Sequence, residues 1–303
     1  MIDLSVKIGT ITFKNPVMVA SGTFGYAEEF CELVDLNQIG GIVTKTVTLE
    51  SRAGNPPPRI AETPAGMLNS IGLPNIGVDG FIAKKMGFLR TLDTKIIVNV
   101  AGKSSEDFIE AVARLDGVEG IDAFELNYSC PNVKEGGLTF SSNAKIAENL
   151  TREIRKKTGK LLITKLTPNV TSIGDIGLAV QNGGADAVSA VNTFVGMAID
   201  IVTRKPKIAS ITGGLSGPAI KPLALAKVFE LTQRLSIPVI AIGGISSADD
   251  AIEFLIAGAK AFQVGTANFM NPGITVDILS QLKSYCKLHG IERLNDLCGT
   301  LLR

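Results

Sequence analysis

The chain has 303 residues, 45% of them apolar, and a formal net charge of +1. This is enough for a sizeable core, either in one large α/β barrel or in two ordinary domains. The near-neutral charge supplies no basic surface for nucleic acid or an acidic membrane. No apolar run approaches the roughly 20 residues that span a bilayer, and the N-terminus lacks a signal-peptide pattern. We therefore expect a cytoplasmic protein that binds neither nucleic acid nor a membrane.

Eight β-rich runs follow a predicted N-terminal β-hairpin, which is formed by VKIG and TITF. The runs are VMVAS, GIVTKTV, KIIVNVA, DAFELNYS, LLITKLT, AVSAVNT, PVIAIGG and AFQVGTA. Helical patterns with i, i+3, i+4 spacing lie between most of them. They include Phe108, Ala111, Val112 and Leu115, then Ile146, Ala147, Leu150 and Ile154, then Ile252, Leu255, Ile256 and Ala259. The segment SSEDF opens the first of these as a capped helix start.

This alternation of continuously apolar strands with helices predicts an α/β protein with a (β/α)8 TIM barrel as one domain over residues 1–303. A doubly wound parallel sheet is the alternative. Two longer connections, residues 48–75 and 194–221, interrupt the alternation of strands and helices. Such insertions usually carry function, so we expect them to cover the C-terminal face of the barrel.

Five successive strands place a lysine or an asparagine near their C-terminal ends. These residues are Lys45, Asn99, Asn127, Lys165 and Asn192. Active sites of TIM barrels lie on this face, so we expect the five side chains to converge on one cavity. An unpaired buried lysine is costly, so something anionic should meet it.

The last two strands end instead in glycine turns, at Gly243 and Gly244 and at Gly265 and Thr266. Loops at these positions of a TIM barrel often bind phosphate through backbone N–H groups. No GxGxxG fingerprint follows a predicted strand, which argues against Rossmann-type dinucleotide binding. A phosphorylated flavin suits such a cavity, because a lysine near flavin N1 stabilises the reduced form. Asparagines match the alternating donors and acceptors of a pyrimidine edge.

Cys130 follows the fourth strand and precedes a proline that restricts the loop. A thiol titrates within reach of physiological pH, so Cys130 is a candidate base for a weak carbon acid; a buried structural cysteine is the alternative. The single histidine, His289, is expected at the surface near the end of a helix. The remaining cysteines are expected to be structural residues of amphipathic helices: Cys31, Cys286 and Cys298.

Several motifs together resemble the class 1 dihydroorotate dehydrogenases. They are NYSCPN with KEGG after it, MLNSIGLPN, GNPPPR, IPVIAIGGI and FQVGTA, and the match runs through essentially the whole chain. A cysteine at position 130, where class 2 enzymes would have serine, indicates class 1. The CPNVKEGG motif is similar to that of type B, the catalytic subunit of an NAD-linked heterotetramer, rather than to that of the fumarate-using type A homodimer.

The resemblance implies residue roles. Cys130 would be the base that removes the C5 proton of dihydroorotate while hydride leaves C6 for flavin N5, giving orotate. Lys165 would lie beside N1, and Lys45 would serve a carboxylate or the flavin edge. The FMN contacts implied are Ser21, Lys45, Thr46, Asn99, Asn127, Lys165, Val191, Gly217, Gly243, Gly244, Gly265 and Thr266. The substrate contacts implied are Lys45, Asn69, Ser70, Ile71, Gly72, Leu73, Asn127, Asn132, Asn192 and Thr193, with Asn132 orienting the base or binding substrate.

The type B resemblance also implies partners, because the chain lacks both a dinucleotide fingerprint and iron-sulfur ligand spacing. A partner subunit would carry FAD and a [2Fe-2S] cluster, and two catalytic subunits would pair at the centre of a heterotetramer; no metal site is expected on this chain. Three alternatives stay open: a type A enzyme, a flavin oxidoreductase acting on dihydrouracil or on uridine in RNA, and a non-catalytic flavin-binding subunit.

Overall fold

The computed structural model describes residues 2–128, 134–135, 138–139 and 143–302, with 134–135 and 138–139 described as backbone. The strands, in chain order, are β1 Val6–Ile8, β2 Ile11–Phe13, β3 Val17–Val19, β4 Gly41–Val43, β5 Ile60–Thr63, β6 Gly66–Asn69, β7 Lys95–Val100, β8 Ala123–Asn127, β9 Lys134–Glu135, β10 Leu138–Thr139, β11 Leu161–Leu166, β12 Ala187–Ala190, β13 Phe194–Met197, β14 Ile199–Asp200, β15 Lys205–Pro206, β16 Thr212–Ser216, β17 Val239–Ile242 and β18 Ala261–Val264.

Helices alternate with the strands. They are α1 Gly77–Lys84, α2 Met86–Leu89, α3 Ser105–Asp116, α4 Ala144–Arg155, α5 Ile173–Asn182, α6 Lys221–Arg234, α7 Ala248–Ile256, α8 Ala267–Met270 and α9 Ile274–Leu288, with 3-10 helices at Glu28–Phe30, Leu36–Gln38, Pro218–Ile220 and Leu294–Leu297. Among these described elements, no helix has both the length and the apolar character needed to cross a bilayer.

Eight parallel strands close into a barrel in the order β3, β4, β7, β8, β11, β12, β17 and β18, with β18 paired to β3. Each comes from one of the eight apolar runs, so the predicted (β/α)8 architecture is confirmed and the doubly wound alternative is excluded. Strands buried on both faces read as continuous apolar runs, which is why the sequence predicts them. The predicted N-terminal hairpin is also confirmed, as β1 paired antiparallel to β2.

The predicted capped start of α3 is confirmed, because the Ser104 side chain accepts a hydrogen bond from the Asp107 backbone N–H. One helical prediction is wrong at its end, since Ala259 lies beyond α7. Gly258 has φ +109°, a conformation that glycine adopts readily and that ends the helix. The Ala259 N–H then donates to the Phe254 carbonyl.

The core has two parts. The larger part lies between the barrel strands and the surrounding helices. The smaller part fills the barrel interior at its N-terminal end, where Val6, Ile8 and Phe13 of the hairpin pack against inward-facing strand residues such as Ile97 and Ile163. The hairpin therefore closes the bottom of the barrel with apolar side chains, which leaves the C-terminal face as the open end.

The two insertions combine into one antiparallel sheet with the order β13, β16, β6 and β5. One insertion follows β4 and the other follows β12, so both are strand-to-helix connections on the C-terminal side of the barrel. The sheet pairs Asn69 with Gly214 and Met67 with Ser216. The backbones approach closely here, because a Cβ added at Gly66 would overlap the Ser216 carbonyl oxygen.

We predict that Gly66→Ala destabilises the protein, because the added methyl group meets backbone rather than a movable side chain. The expected loss is about 1–3 kcal/mol, typical of overpacking. Gly87→Ala is the matched control, since Gly87 is exposed within α2 and an added Cβ meets nothing within 4 Å. Alanine should stabilise that helix by roughly 0.5–1 kcal/mol. Urea unfolding of both variants measures the difference; equal stabilities would contradict the close packing at Gly66.

Candidate active site

The inner face of the barrel becomes polar towards the C-terminal ends of the strands. Five buried polar side chains from five strands lie in this layer: Asn99, Glu125, Lys165, Ser189 and Gln263. The strand register pairs Asn99 with Glu125 and Lys165 with Ser189. The layer lies above the apolar residues at the barrel bottom, because side chains two apart on a strand share one face.

Glu125 is the centre of this layer. Its Oε1 accepts a hydrogen bond of 2.7 Å from Asn99 Nδ2. Its Oε2 accepts from Ser189 Oγ at 2.8 Å and from Gln263 Nε2 at 2.6 Å. The side chain is fully buried. A buried carboxylate is stable only where such donors replace water, and three of them surround this one.

Lys165 meets Glu125 from the neighbouring strand β11, with Nζ 3.8 Å from Oε1 and only 7% of the lysine side chain exposed. The anion expected beside this buried lysine is therefore supplied by the protein itself. The distance is that of an ion pair but too long for a hydrogen bond. Among the residues that the structure describes, Nζ has no hydrogen-bond acceptor, so its N–H groups suit an electronegative atom of a ligand.

A chain of hydrogen bonds extends from Glu125 to the barrel rim. Because a carboxylate only accepts, the Asn99 amide must present its NH2 to Glu125 and its oxygen away from it. That oxygen accepts from Thr46 Oγ1 at 2.7 Å. The Thr46 hydroxyl donates its proton to this bond. In the second contact, between Ser21 Oγ and Thr46 Oγ1 at 3.4 Å, Ser21 is therefore the donor. Three predicted FMN contacts, Ser21, Thr46 and Asn99, are brought together in this way.

Three predicted substrate residues form a second group at the mouth. Asn192 Nδ2 donates to Asn127 Oδ1 at 3.2 Å, and the Thr193 backbone N–H donates to Asn192 Oδ1. Asn169 fixes this segment, because its Nδ2 donates to the Thr193 carbonyl and its Oδ1 accepts from the Val195 N–H. The asparagine amides are thereby held in defined orientations beside the polar layer.

The predicted substrate loop, residues 69–73, lies on the first insertion. Asn69 Nδ2 donates to the Gly214 carbonyl, which joins the loop to the other insertion. Asn55 holds the loop from the side, with its Nδ2 3.0 Å from the Ser70 carbonyl and its N–H 3.0 Å from the Ile71 carbonyl. Gly72, at φ +79°, cannot carry a side chain here, because a Cβ would lie 2.5 Å from Asn55 N.

The two glycine turns differ in whether the structure requires a residue without a side chain. Gly243 and Gly244 have φ +127° and +73°, and a Cβ on Gly244 would lie 2.6 Å from Lys221 N. Gly265 has no such constraint, since a Cβ there would meet Ala20 at an ordinary 3.6 Å. The backbone N–H groups of these glycines and of Thr266 have no hydrogen-bond acceptor within the described part of the chain. Clustered free N–H groups of this kind fit a phosphate.

A charged cluster supports the first glycine turn. Lys221 Nζ donates at 2.8 Å both to Asp250 Oδ1 and to Glu253 Oε1, and Asp250 Oδ2 accepts from the Ser246 N–H. Burial alone would raise the pKa of Asp250, but the hydrogen bonds from Lys221 and Ser246 outweigh it and hold that pKa below its ordinary value. The turn is thus tied to both α6 and α7.

The other predicted contacts lie around the same opening. Val191 is buried directly after β12, and Gly217, at φ +101°, follows β16. Lys45 is half-buried two residues beyond β4, and its backbone N–H donates to the Gly25 carbonyl. Thr266 Oγ1 lies 2.8 Å from Ser216 Oγ of the insertion sheet.

Cys130 and Asn132 lie outside the described residues, so their predicted roles stay predictions. His289 is exposed at the end of α9, as expected. Cys286 is buried in α9, but the helical prediction is wrong for Cys31 and Cys298, which each directly follow a 3-10 helix. Within the described ranges, no cluster of histidine, cysteine or carboxylate side chains could hold a metal ion.

Sequence reasoning missed the residues that support the site from inside the barrel. The most important is Glu125, whose signal was one acidic residue within an otherwise apolar strand run, two residues before Asn127. Asn169 gave only a weak signal, as the polar end of TPN after a strand. In the sequence, Ser189 and Gln263 look like ordinary strand residues. Their contact with Glu125 is apparent only in the closed barrel.

Fold and site together define a (β/α)8-barrel protein whose polar mouth suits an anionic, phosphate-bearing ligand. The chain belongs to the dihydroorotate dehydrogenase family, whose model matches residues 3–286. Relatives named "Dihydroorotate dehydrogenase B (NAD(+)), catalytic subunit" are similar over almost their whole length. The protein of Thermoanaerobacter sp. (strain X514) is 52% identical over 299 residues, 99% of each chain. Those of Geotalea daltonii and Geobacter sulfurreducens are 50% identical, over 99% of this chain and 98% of theirs.

We predict that Asp250→Asn loosens the first glycine turn and lowers the free energy of unfolding at pH 7 by about 1 kcal/mol, a modest value because the pair with Lys221 is close to solvent. The pKa of Asp250 is depressed in the folded protein, so its contribution is present above the ordinary aspartate pKa and is lost as the pH falls through the folded-state pKa. Urea unfolding at pH 7 and near pH 3 should show the difference shrinking. The control is Asp249→Asn, an exposed neighbour.

Proposed function

We propose that this protein is the catalytic subunit of an NAD-linked dihydroorotate dehydrogenase, which oxidises (S)-dihydroorotate to orotate in pyrimidine biosynthesis. The observation that carries the proposal is about 50% identity over 98–99% of the chain to relatives that bear this name. Residues 1–303 would act as one catalytic domain. The polar barrel mouth supports the proposal independently, because its donors and acceptors suit a flavin and a pyrimidine.

FMN is the cofactor of the proposal, and it would supply a hydride acceptor. The residues present fit it in two respects. The backbone N–H groups of the two glycine turns, which have no acceptor among the described residues, would bind the phosphate. The Lys165 ammonium, which lacks a hydrogen-bond acceptor in the described chain, would face the N1 edge of the ring, and Ser21, Thr46 and Asn99 would contact the ring from the opposite strands.

Substrate would be bound by the amide groups of Asn69, Asn127 and Asn192, together with Thr193, residues 70–73, Asn132 and Lys45. The amides of Asn127 and Asn192 are already fixed by their mutual hydrogen bond, so they would meet a pyrimidine ring without reorganising. Cys130, three residues beyond the end of β8, would remove the C5 proton. A thiol is suited to this step, because its ordinary pKa lies near the working pH.

Electrons would leave this chain through a partner subunit that carries FAD and a [2Fe-2S] cluster, with two catalytic subunits paired in a heterotetramer. Two findings support this. The relatives are named as catalytic subunits of NAD(+) enzymes, and this sequence contains neither a dinucleotide-binding fingerprint nor iron-sulfur ligand spacing.

Cys130→Ser should lower the rate of dihydroorotate oxidation at neutral pH by roughly 10²–10⁴-fold, because the alcohol is a much weaker acid-base group than the thiol. FMN content, read from the visible absorbance of the purified protein, should stay at the parent level. Cys31→Ser is the control, since Cys31 is exposed and should leave the rate unchanged. A Cys130→Ser variant as fast as the parent would refute the role of Cys130 as base.

The electron acceptor is tested by expressing the chain with and without a flavin and iron-sulfur subunit. Alone, the chain should reduce artificial acceptors with dihydroorotate but not NAD, because it lacks a dinucleotide site. Co-expression should restore NAD reduction, and fumarate should be a poor acceptor in both preparations. Efficient NAD reduction by the chain alone, or rapid fumarate reduction, would contradict the type B proposal.

A further inference from the structure

Glu125 and Lys165 are the only acidic and basic side chains that are buried in the part of the chain that the structure describes. They lie in the barrel interior above an apolar layer that the N-terminal hairpin closes from below. Water therefore cannot solvate the pair from the bottom of the barrel. A buried charge pair costs desolvation energy, and its removal often stabilises a protein, so stability alone is a weak reason for its presence.

Three hydrogen-bond donors surround the Glu125 carboxylate. Both carboxylate oxygens face donors: the amide groups of Asn99 and Gln263 and the hydroxyl of Ser189. A carboxylate can accept from all three at once, because both of its oxygens are acceptors. The negative charge is therefore held in place by three strands besides its own, at 3.8 Å from the Lys165 ammonium.

We propose that Glu125 is a positioning residue of the flavin site: its charge keeps Lys165 protonated, and its oxygen orients the Asn99 amide. This inference rests on the proposed function, in which Lys165 and Asn99 contact FMN. Glu125 itself acts only through these two side chains. A lysine that stays cationic presents a constant positive charge to the reduced flavin, whereas a neutral amine would have to take up a proton each time the flavin is reduced.

Among the side chains that the structure describes, Glu125 is the one acidic group that pairs with Lys165. Desolvation opposes the charged form of a buried lysine, and a nearby carboxylate favours it. The other side chains facing the pair from β7, β12 and β18 are Asn99, Ser189 and Gln263, which do not titrate, and the layer beneath is apolar. Lys45, beyond β4, is the remaining charged residue predicted at the mouth, and within the described chain it forms no ion pair.

The test is Glu125→Gln, which keeps the side-chain shape and removes the charge. Lys165 is titrated by ¹⁵N NMR of its ammonium group in the full chain, with its signal assigned by loss in Lys165→Met. The parent should hold Lys165 charged throughout pH 6–9. In the variant, desolvation without a counter-charge should weaken proton binding at Lys165 by roughly a hundredfold or more, enough for its signal to titrate within this pH range. A variant whose Lys165 titrates like the parent's overturns the proposal.

The FMN-loaded protein gives a second readout, the pH dependence of the flavin midpoint potential in the absence of substrate. One proton per two electrons gives a slope of about 30 mV per pH unit, the value for a tenfold change with two electrons. At pH values above the Lys165 titration seen by NMR, the variant should approach twice the parent's slope, because Lys165 then takes up a second proton on reduction. An unchanged slope overturns the proposal.

Three further variants separate positioning from a merely structural role. Ser189→Ala removes one hydrogen bond to the same carboxylate but no charge, so it should lower stability and leave the slope unchanged. Glu125→Asp keeps the charge and should restore the parent's slope. If Glu125→Gln does not fold, the double variant Glu125→Gln/Lys165→Met should fold, because no charge is left unpaired. A double variant that also fails to fold overturns the proposal.

The inference and the proposed function fail in different ways. A parent protein that binds no FMN, or that does not oxidise dihydroorotate, contradicts the proposed function. The NMR titration of Lys165 needs neither flavin nor substrate, so it still decides whether Glu125 maintains the lysine charge.

Discussion

A single carboxylate inside the barrel determines how the polar side chains of the mouth are arranged. Glu125 accepts hydrogen bonds from three other strands and forms an ion pair with a fourth. Because it only accepts, each partner must turn a donor inward. The Asn99 amide consequently presents its oxygen to Thr46, and the order of donors and acceptors propagates to Ser21 at the rim.

The barrel divides its interior into layers with different tasks. The bottom layer is apolar and contributes to stability through burial. The middle layer contains the buried charges and the amides that they orient. Above it lie the glycine turns and the antiparallel sheet formed by the two insertions. The turns contribute backbone N–H groups that have no acceptor in the described chain, and the sheet contributes the Asn69 loop. A ligand at the mouth therefore meets chemically different surfaces on its two sides.

The sequence predicts the strands well and the polar layer poorly. Barrel strands are short, continuously apolar runs, so their period and composition identify them without tertiary information. Lys165 and Asn127 are visible as polar residues at strand ends. Glu125 is not, because its meaning depends on Asn99, Ser189 and other strands that meet it only when the barrel closes.

The insertion sheet was also beyond sequence reasoning. Its strands are short, and β16 contains adjacent glycines, which carry no apolar alternation. The end of α7 was misjudged for a related reason, since Ala259 continues the helical period although Gly258 has already turned the chain. At Gly243 and Gly244 the sequence indicated a turn, but only the backbone angles show that both residues are held in the left-handed half of conformational space.

The hairpin closes the N-terminal end of the barrel, so the interior is reached from the C-terminal face. Within the part of the chain that the structure describes, Val6, Ile8 and Phe13 fill the space beneath the polar layer with apolar side chains. Any small molecule that enters at the rim must therefore leave through the same opening, past the sheet built from the two insertions.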